Sequence, residues 1–377
     1  MAKRAHLARA SAAPRGALEA TLGAGRRDSS PLLASGQVKD ATDRAPAGGI
    51  TRVSIVAPML NEAGHVDAFV ADVAGQDFEG EIELLVADGG SEDGSPERLQ
   101  EASERAGIDL MILPNPSRWV SSGLNACIER AHGDLIVRLD CHSRYPADYV
   151  RRCAEAAEET GAWNVGGIVV PEGETQMERA VACAMDSPFG GIGWTRHAAV
   201  GSRVEVDTVT YGAFRPEAFR LAGTFDESLV RNQDDELNLR LRLAGGRIVL
   251  DPSIRVRYRP RGSLTKVFRQ YYEYGRWKVP VMLKHRRAVS GRSLVPIAFV
   301  SSLATLVVLS SGTGLARRLL AGEVALYGAC AFGFAAASIR RRGEAWTLLP
   351  ATATTFFAFH GGYGLGMLRG WLGAFWK

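Results

Sequence analysis

From residue 51 onward the chain alternates short apolar runs with longer mixed stretches. The runs at 52–57 (RVSIVA), 82–87 (IELLVA), 108–113 and 135–139 (LIVRL) each end at a polar turn. Between them the spacing of apolar positions predicts helices near 65–74, 96–106, 121–131 and 147–159. Strands separated by helices of this length predict right-handed βαβ units and a mostly parallel sheet, an α/β architecture. Ligands of such sheets bind beyond the carboxyl ends of the strands, so the residues that follow each run carry the candidate chemistry.

The pattern changes twice. Before residue 51 the chain is rich in Ala, Arg, Gly and Ser and nearly free of aromatic and β-branched residues. Such a segment buries too little apolar surface to offset its ordering entropy, so residues 1–50 are expected to form a disordered basic tail. It lacks the continuous apolar stretch of a signal peptide. At the other end, 294–310, 319–339 and 345–368 are long and mostly apolar, spaced by Arg317-Arg318 and Arg340-Arg341-Arg342. A hydrocarbon core of ~30 Å needs about 20 such residues. The expectation is a transmembrane region of about three helices over 294–377, rich in the small residues that membrane helices pack with.

Composition sharpens this picture only when it is divided along the chain. The 377 residues, at about 150 per domain, leave room for two or three units. The formal net charge is +4. Residues 255–292, however, hold twelve Lys/Arg and one acidic residue, Glu273, which leaves the rest of the chain net negative. Phe268, Tyr271, Tyr272, Tyr274 and Trp277 are interleaved with those cations. Directly before an apolar region this reads as amphipathic helices over 263–293 lying on an anionic membrane face, and not as a nucleic-acid surface. The positive-inside bias then places the α/β domain in the cytoplasm of a multi-pass membrane protein in the cell (inner/plasma) membrane. Five cysteines without C-x-x-C spacing argue for reduced thiols and against a disulfide framework or a structural zinc site.

The strand ends share one chemistry. The first is followed by Pro58-Met59-Leu60-Asn61-Glu62, the second by Asp88-Gly89-Gly90-Ser91-Glu92-Asp93, and the fourth by Asp140-Cys141-His142. Carboxylates at this edge can accept hydrogen bonds from a nucleobase or from ribose hydroxyls. Asp140 and His142 pair one hard oxygen with one imidazole at a spacing that reaches a single divalent cation, Mn²⁺ or Mg²⁺. Such a cation neutralises charge on a departing diphosphate. No G-x-x-x-x-G-K-[ST] is present and no G-x-G-x-x-G follows the first strand, which argues against a P-loop NTPase and a dinucleotide fold. Further on, Arg231-Asn232-Gln233-Asp234-Asp235-Glu236 opens a helix whose Leu237, Leu239, Leu241 and Leu243 pack inward. Its dipole favours acidic residues in the first turn, but three exceed what capping needs, and one is a candidate general base.

These segments resemble the family 2 glycosyltransferases, whose domain has the GT-A nucleotide-sugar-binding fold. The likeness runs from about residue 51 to 262 and rests on VAPMLNE (56–62), ADGGSEDGS (87–95), RLDCHSRYP (138–146), YGAFRPEAF (211–219), GTFDE (223–227) and RNQDDELNLRLRLAGG (231–246). The resemblance implies that Pro58, Glu62 and Asp88, with Asp93 beside them, hold the uracil and ribose of a UDP-sugar. Asp140 and His142 fall on the family's D-x-D position, which binds the cation and diphosphate. Asp234 falls on the aspartate of its E-D motif, the base that deprotonates an acceptor hydroxyl in an inverting transfer, with Asp235 the alternative. Gln270 and Arg276-Trp277 resemble a Q-x-x-R-W motif on the acceptor and membrane side, at a longer spacing (QYYEYGRW). Two positions depart from the family pattern: His142 stands for an acidic residue and Gln233 for a glutamate. A neutral imidazole favours Mn²⁺ over Mg²⁺, and its protonation weakens metal binding.

The implied activity is metal-dependent transfer of a hexose from a UDP-sugar to a lipid-linked or growing exopolysaccharide acceptor. A nucleotidyltransferase or pyrophosphorylase would also use acidic strand ends and a cation, but it gives no reason for the apolar C-terminus. A non-catalytic membrane scaffold with a degenerate sugar-nucleotide domain would not need Asp88, Asp140 and Asp234 together.

Overall fold

A computed structural model describes residues 49–190, 201–288 and 291–375; the expected basic tail lies, up to residue 48, outside the described residues. The first half follows the sequence pattern closely. Strand β1 (Arg52–Met59), helix α1 (Val66–Ala74), β2 (Glu81–Asp88), α2 (Ser95–Ala106), β3 (Asp109–Pro114), α3 (Val120–Arg130), β4 (Leu135–Arg138) and α4 (Tyr149–Thr160) succeed one another. The centres of β1, β2 and β4 are buried, as parallel strands covered on both faces require. Proline in the first turn of α2 and left-handed glycines after α2 and α4, Gly107 and Gly161, set where these helices begin and end.

The second half completes the sheet with β5 (Asn164–Pro171), β6 (Val204–Glu205), β7 (Ala213–Phe214) and β8 (Ile248–Tyr258). It also supplies α5 (Gln176–Met185), α6 (Pro216–Ala222) and α7 (Gln233–Leu243). The described residues form an eight-stranded sheet in the order β3-β2-β1-β4-β7-β5-β8-β6. Strands β1 to β4 are parallel; β7 enters antiparallel between β4 and β5, and β6 runs antiparallel to β8. The sheet is therefore mixed and mostly parallel. The chain winds outward from β1 to β3 and returns to β4 on the other side of β1. A crevice opens at such a reversal, beyond the carboxyl ends of β1 and β4.

Helix α7 corrects one expectation. Leu237, Leu239 and Leu241 are buried, but Leu243 is half-exposed. Leu237 and Leu241 face the core under the sheet, whereas Leu239 packs with Leu229 and Val281 on another side. Leucines two apart cannot share one helical face. Helix α7 is therefore clasped from two directions.

The C-terminal part is a single helix α8 (Leu264–His285), then α9 (Val295–Ser310), α10 (Gly314–Arg342) and α11 (Leu349–Phe375). Helices, in the plural, were expected over 263–293; one helix occupies that stretch and does not lie free on a surface. It packs along α11, where Gly362, Gly366 and Gly370 recur every four residues against Phe268, Tyr272 and Arg276 of α8. A Cβ at Gly366 would stand 2.0 Å from the Tyr272 carbonyl oxygen. Two helical stretches, Gly291–Ser310 and Gly314–Arg342, are long and apolar enough to cross a membrane. The third expected segment, 345–368, lies mostly in α11 and differs. Its glycines, threonines and His360 lower its apolarity, and Phe356 and Phe359 are buried against protein.

Helix α10 ends on the α/β domain. Ser338 donates to the Cys183 carbonyl at 2.6 Å, Arg341 to the Asp186 carbonyl at 2.8 Å, and Arg342 to the Pro171 carbonyl at 2.9 Å. The four cysteines Cys127, Cys141, Cys153 and Cys183 are buried and free, and Cys330 is half-buried and free.

Candidate active site

The crevice at the ends of β1 and β4 is one wall of a cavity of 1520 Å³. Parallel pairing sets Val56 beside Arg138, so that Pro58 and Asp140 follow side by side. After β1, Asn61 takes a left-handed backbone (φ 55°) and turns the chain back toward β2. The loop after β2 holds it there: the Asn61 amide donates to Ser91 Oγ (2.8 Å), the Glu62 amide to Ser95 Oγ (2.8 Å) and the Ala63 amide to Asp93 Oδ2 (3.0 Å). This aims the Glu62 carboxylate at His142, whose Nδ1 is 3.0 Å away. The bond to Glu62 raises the His142 pKa against the opposing effect of burial.

Arg138 was not singled out in the sequence and joins the two acidic segments. Its guanidinium lies within 3.3 and 3.4 Å of Asp140 Oδ1 and donates to Asp234 Oδ1 at 2.5 Å. It is buried at the end of β4, and a charged residue in an otherwise apolar strand was the signal that could have found it. Burial disfavours its charge, but Asp234 and Asp140 more than offset this and raise its pKa. Burial dominates at Asp234 and raises its pKa above the usual carboxylate value, while Arg138 pulls it down. The result is a partly buried carboxylate that is easier to protonate than an exposed one.

The next residues of α7 turn to α8. Asp235 forms an ion pair with Lys278, which is only 7% exposed and also lines the cavity. Glu236, wholly buried, accepts from Arg240, from Lys284 at 2.7 Å and from His285 Nε2 at 2.9 Å. The Asn232 side chain donates to the Tyr274 carbonyl at 2.8 Å. Three consecutive acidic positions thus divide their work. Asp234 faces the sheet and Asp235 the cavity wall on α8, while Glu236 is spent on packing and charge balance and is not available as a base.

Of the residues chosen from sequence, the fold brings Pro58, Glu62, Asp140, His142, Asp234, Asp235 and Gln270 onto the one cavity. Asp88, Asp93, Arg276 and Trp277 do not line it. Asp88 accepts from the Gly90 amide (3.0 Å) and Ser91 Oγ (2.6 Å), and Asp93 from the Ala63 and Ser95 amides, so both carboxylates shape the loops that carry the site. On α8, Gln270, Tyr274 and Lys278 recur every four residues and share the cavity face. Arg276 and Trp277 are turned off it: Arg276 is exposed over the Trp277 ring, and Trp277 packs on Leu229, Leu239 and Val281.

Among the described residues no group of three or more His, Cys, Asp and Glu side chains is arranged to hold a metal ion. Asp140 and His142 offer two donors. Both Arg138 contacts go to Asp140 Oδ1, which leaves Oδ2 to a cation, and Glu62 on Nδ1 leaves His142 Nε2. A carboxylate behind a ligating imidazole is the usual outer support of such a site. The donor set fits a cation that completes its shell from a bound diphosphate and water.

The sequence pattern described as Glycosyl transferase family 2 matches residues 54–189. The chain is 36% identical over 251 residues to the succinoglycan biosynthesis protein ExoA of Rhizobium meliloti (strain 1021), covering 65% of this chain and 74% of that protein. This chain belongs to glycosyl transferase family 2. A second relative is a dolichyl N-acetyl-alpha-D-glucosaminyl phosphate 3-beta-D-2,3-diacetamido-2,3-dideoxy-beta-D-glucuronosyltransferase of Methanococcus voltae, 26% identical over 231 residues, 59% of this chain and 71% of that one. Among solved structures, the mannosyltransferase PcManGT from Pyrobaculum calidifontis, in complex with GDP-Man and Mn²⁺, superposes with a TM-score of 0.60 at 18% identity, over 86% of this chain and 88% of that one. That likeness shows a shared GT-A-like fold.

Proposed function

We propose that this family 2 glycosyltransferase is anchored in the cell membrane, with residues 51–262 as its cytoplasmic catalytic domain. It transfers a hexose from a UDP-sugar, with inversion, to a lipid-linked or growing exopolysaccharide acceptor on the cytosolic leaflet. The observation that carries the reading is the single cavity in which Asp140 and Asp234 share Arg138 while the far wall is built by apolar C-terminal helices. The relatives named above act in exopolysaccharide biosynthesis or on a dolichyl-linked sugar by their names, which supports the acceptor class.

In this reading Pro58 and Glu62 meet the nucleoside at the end of β1, and Asp88 and Asp93 hold the loop that frames it. A divalent cation held by Asp140 and His142 would neutralise the charge of the leaving diphosphate. Asp234 accepts the proton of the acceptor hydroxyl, and its raised pKa makes it a better proton acceptor than an exposed aspartate. Arg138 holds that carboxylate and offsets its repulsion by Asp140. Asp235 is neutralised by Lys278, so the two adjacent carboxylates do not compete for one proton. Gln270 fixes the hydroxyls of Tyr258 and Tyr274, at 3.4 and 3.0 Å, on the acceptor side.

The test incubates membranes containing the protein with a panel of radiolabelled UDP- and GDP-sugars and a lipid extract, with and without Mn²⁺. Label passing from one UDP-sugar into the lipid fraction, and only with the cation, is the expected result. Label from a GDP-sugar alone would overturn the donor assignment. Transfer that persists in a chelator would overturn the cation.

A further inference from the structure

The cavity is larger than the roughly 300–1,000 Å³ of a pocket for one small ligand. Glu273 of α8, which pairs with Arg276 at 3.7 Å, lies on its helix wall, and its other carboxylates gather toward the sheet end. Three of its cations are neutralised there: Arg138 by Asp234, Lys278 by Asp235 and Arg292 by Asp207. Arg231, Arg261, Lys266 and Arg269 line the same cavity, are exposed, and have no carboxylate partner among the described residues. Lys266 and Arg269 are three residues apart, on one face of the first turns of α8. Arg261 lies in the connection from β8 to α8 and lines the cavity together with His142 of the sheet end and Tyr274 of α8.

Behind these cations the wall is apolar and aromatic. The same part of α8 packs through Val267 with α5, α10 and α11. Tyr271 stacks on Phe359 of α11 at 4.1 Å between ring centroids, and Phe299 of α9 stacks on Tyr327 of α10 at 4.5 Å. Phe359, Tyr327 and Phe299 all border the cavity, as do Val295 and Pro296 of α9. None of the residues of α9 is buried and Val295 is 64% exposed, so the cavity reaches the helix pair that is apolar enough to meet lipid. Unpaired cations in front of an apolar slot are complementary to one kind of molecule, an anion joined to a hydrocarbon tail.

Resting on the reading that the acceptor is lipid-linked, we infer that Arg231, Arg261, Lys266 and Arg269 form a subsite for the phosphate or diphosphate of that acceptor, with its tail against Phe299, Tyr327 and Phe359. The acceptor would enter sideways from the membrane along α9. Its headgroup would stop at the cations, which places the sugar beyond it near Asp234. The donor diphosphate at Asp140 and His142 is a separate anion.

The experiment uses the full chain in detergent and farnesyl diphosphate as the probe, with inorganic pyrophosphate, farnesol and UDP as comparisons, read by calorimetry. Farnesyl diphosphate is expected to bind at least tenfold more tightly than pyrophosphate or farnesol, and saturating UDP is expected to leave that affinity unchanged. The double variant Lys266→Ala/Arg269→Ala should weaken it about tenfold and flatten its salt dependence, while Arg269→Lys retains it. Displacement by UDP would overturn the inference by assigning the cations to the donor, and so would unchanged affinity in the double variant. Sugar transfer is not needed for this readout. Failure of the UDP-sugar panel would remove the proposed activity and leave the subsite standing, and the reverse outcome is equally separable.

Discussion

The two acidic regions that support the walls of the cavity hold their charges differently. On the sheet side, Asp88 and Asp93 are satisfied by amides and hydroxyls two or three residues away, together with the neighbouring β1 loop. On the helix side, Asp234, Asp235 and Glu236 are satisfied by Arg138, Lys278 and Lys284, which lie more than forty positions away in the chain. The first is built locally, because its loops close on themselves. The second exists only when α7, α8 and β4 are docked, so it connects α8 to the candidate base. A carboxylate supported locally tolerates change nearby; one supported at long range transmits it.

The largest effect expected from breaking the second wall is in catalysis. Asp234→Asn keeps the shape and the contact with Arg138 but removes the proton acceptor, so transfer should fall by about 10²–10⁴ with the melting temperature nearly unchanged. Near-normal transfer by this variant would end the assignment of Asp234 as base. Next, Lys278→Met leaves Asp235 as an uncompensated, largely buried charge and should cost about 3–5 kcal/mol of stability in thermal unfolding. Adding Asp235→Asn to the same chain should restore most of it; no restoration would mean that Lys278 acts through packing alone.

A change that moves α8 without touching a charge tests whether docking itself matters. Gly366→Ala puts a methyl against the Tyr272 carbonyl and should cost about 1–3 kcal/mol. Gly328→Ala, where a Cβ meets nothing within 4 Å, serves as the neutral control in the same unfolding assay. If both behave alike, the glycine seam is not what seats α8 on α11.

Acid sharpens the comparison further. Burial alone would raise the Asp226 pKa, but Lys284 at 2.7 Å and the Ser228 hydroxyl at 2.6 Å lower it to about 2. A depressed folded-state value contributes stability that is present above the unfolded pKa of about 4 and is lost as pH falls toward 2. Asp226→Asn should therefore remove stability at neutral pH and flatten the acid limb of the unfolding curve by about 1–2 kcal/mol. The smallest effect is expected on the locally closed wall. Asp93→Asn keeps only one of the two oxygens that accept from the Ala63 and Ser95 amides, and because this side chain stands in solvent the denaturation midpoint should move least of all in a denaturant titration.

Much of the first half was legible because its signals are local. Four strands read as apolar runs, Gly107 and Gly161 end their helices, and polar residues after β1 and β4 line the cavity. The strands β5 to β8 were not legible. Two of them are only two residues long, and β7 sits between β4 and β5 by pairing with segments far away in sequence. The leucines of α7 misled because a two-residue alternation marks two buried sides of a clasped helix as readily as one side. The apolar stretch at 345–368 was identified by composition, which cannot distinguish lipid from the protein that covers α11.

The sequence by itself determined the α/β architecture, the acidic strand ends, the position of Asp234 and the separation of a basic, aromatic stretch from an acidic remainder. These follow from periodicity, turn chemistry and charge within a few residues of one another. Only the tertiary structure decided that Arg138 lies between Asp140 and Asp234, that Lys278 neutralises Asp235, and that Asp88 and Asp93 support loops while Gln270 faces the cavity and Arg276 and Trp277 do not. Each of those outcomes depends on which groups are brought together across tens to hundreds of residues, and on the direction in which a helix is turned once its neighbours have buried the rest of it.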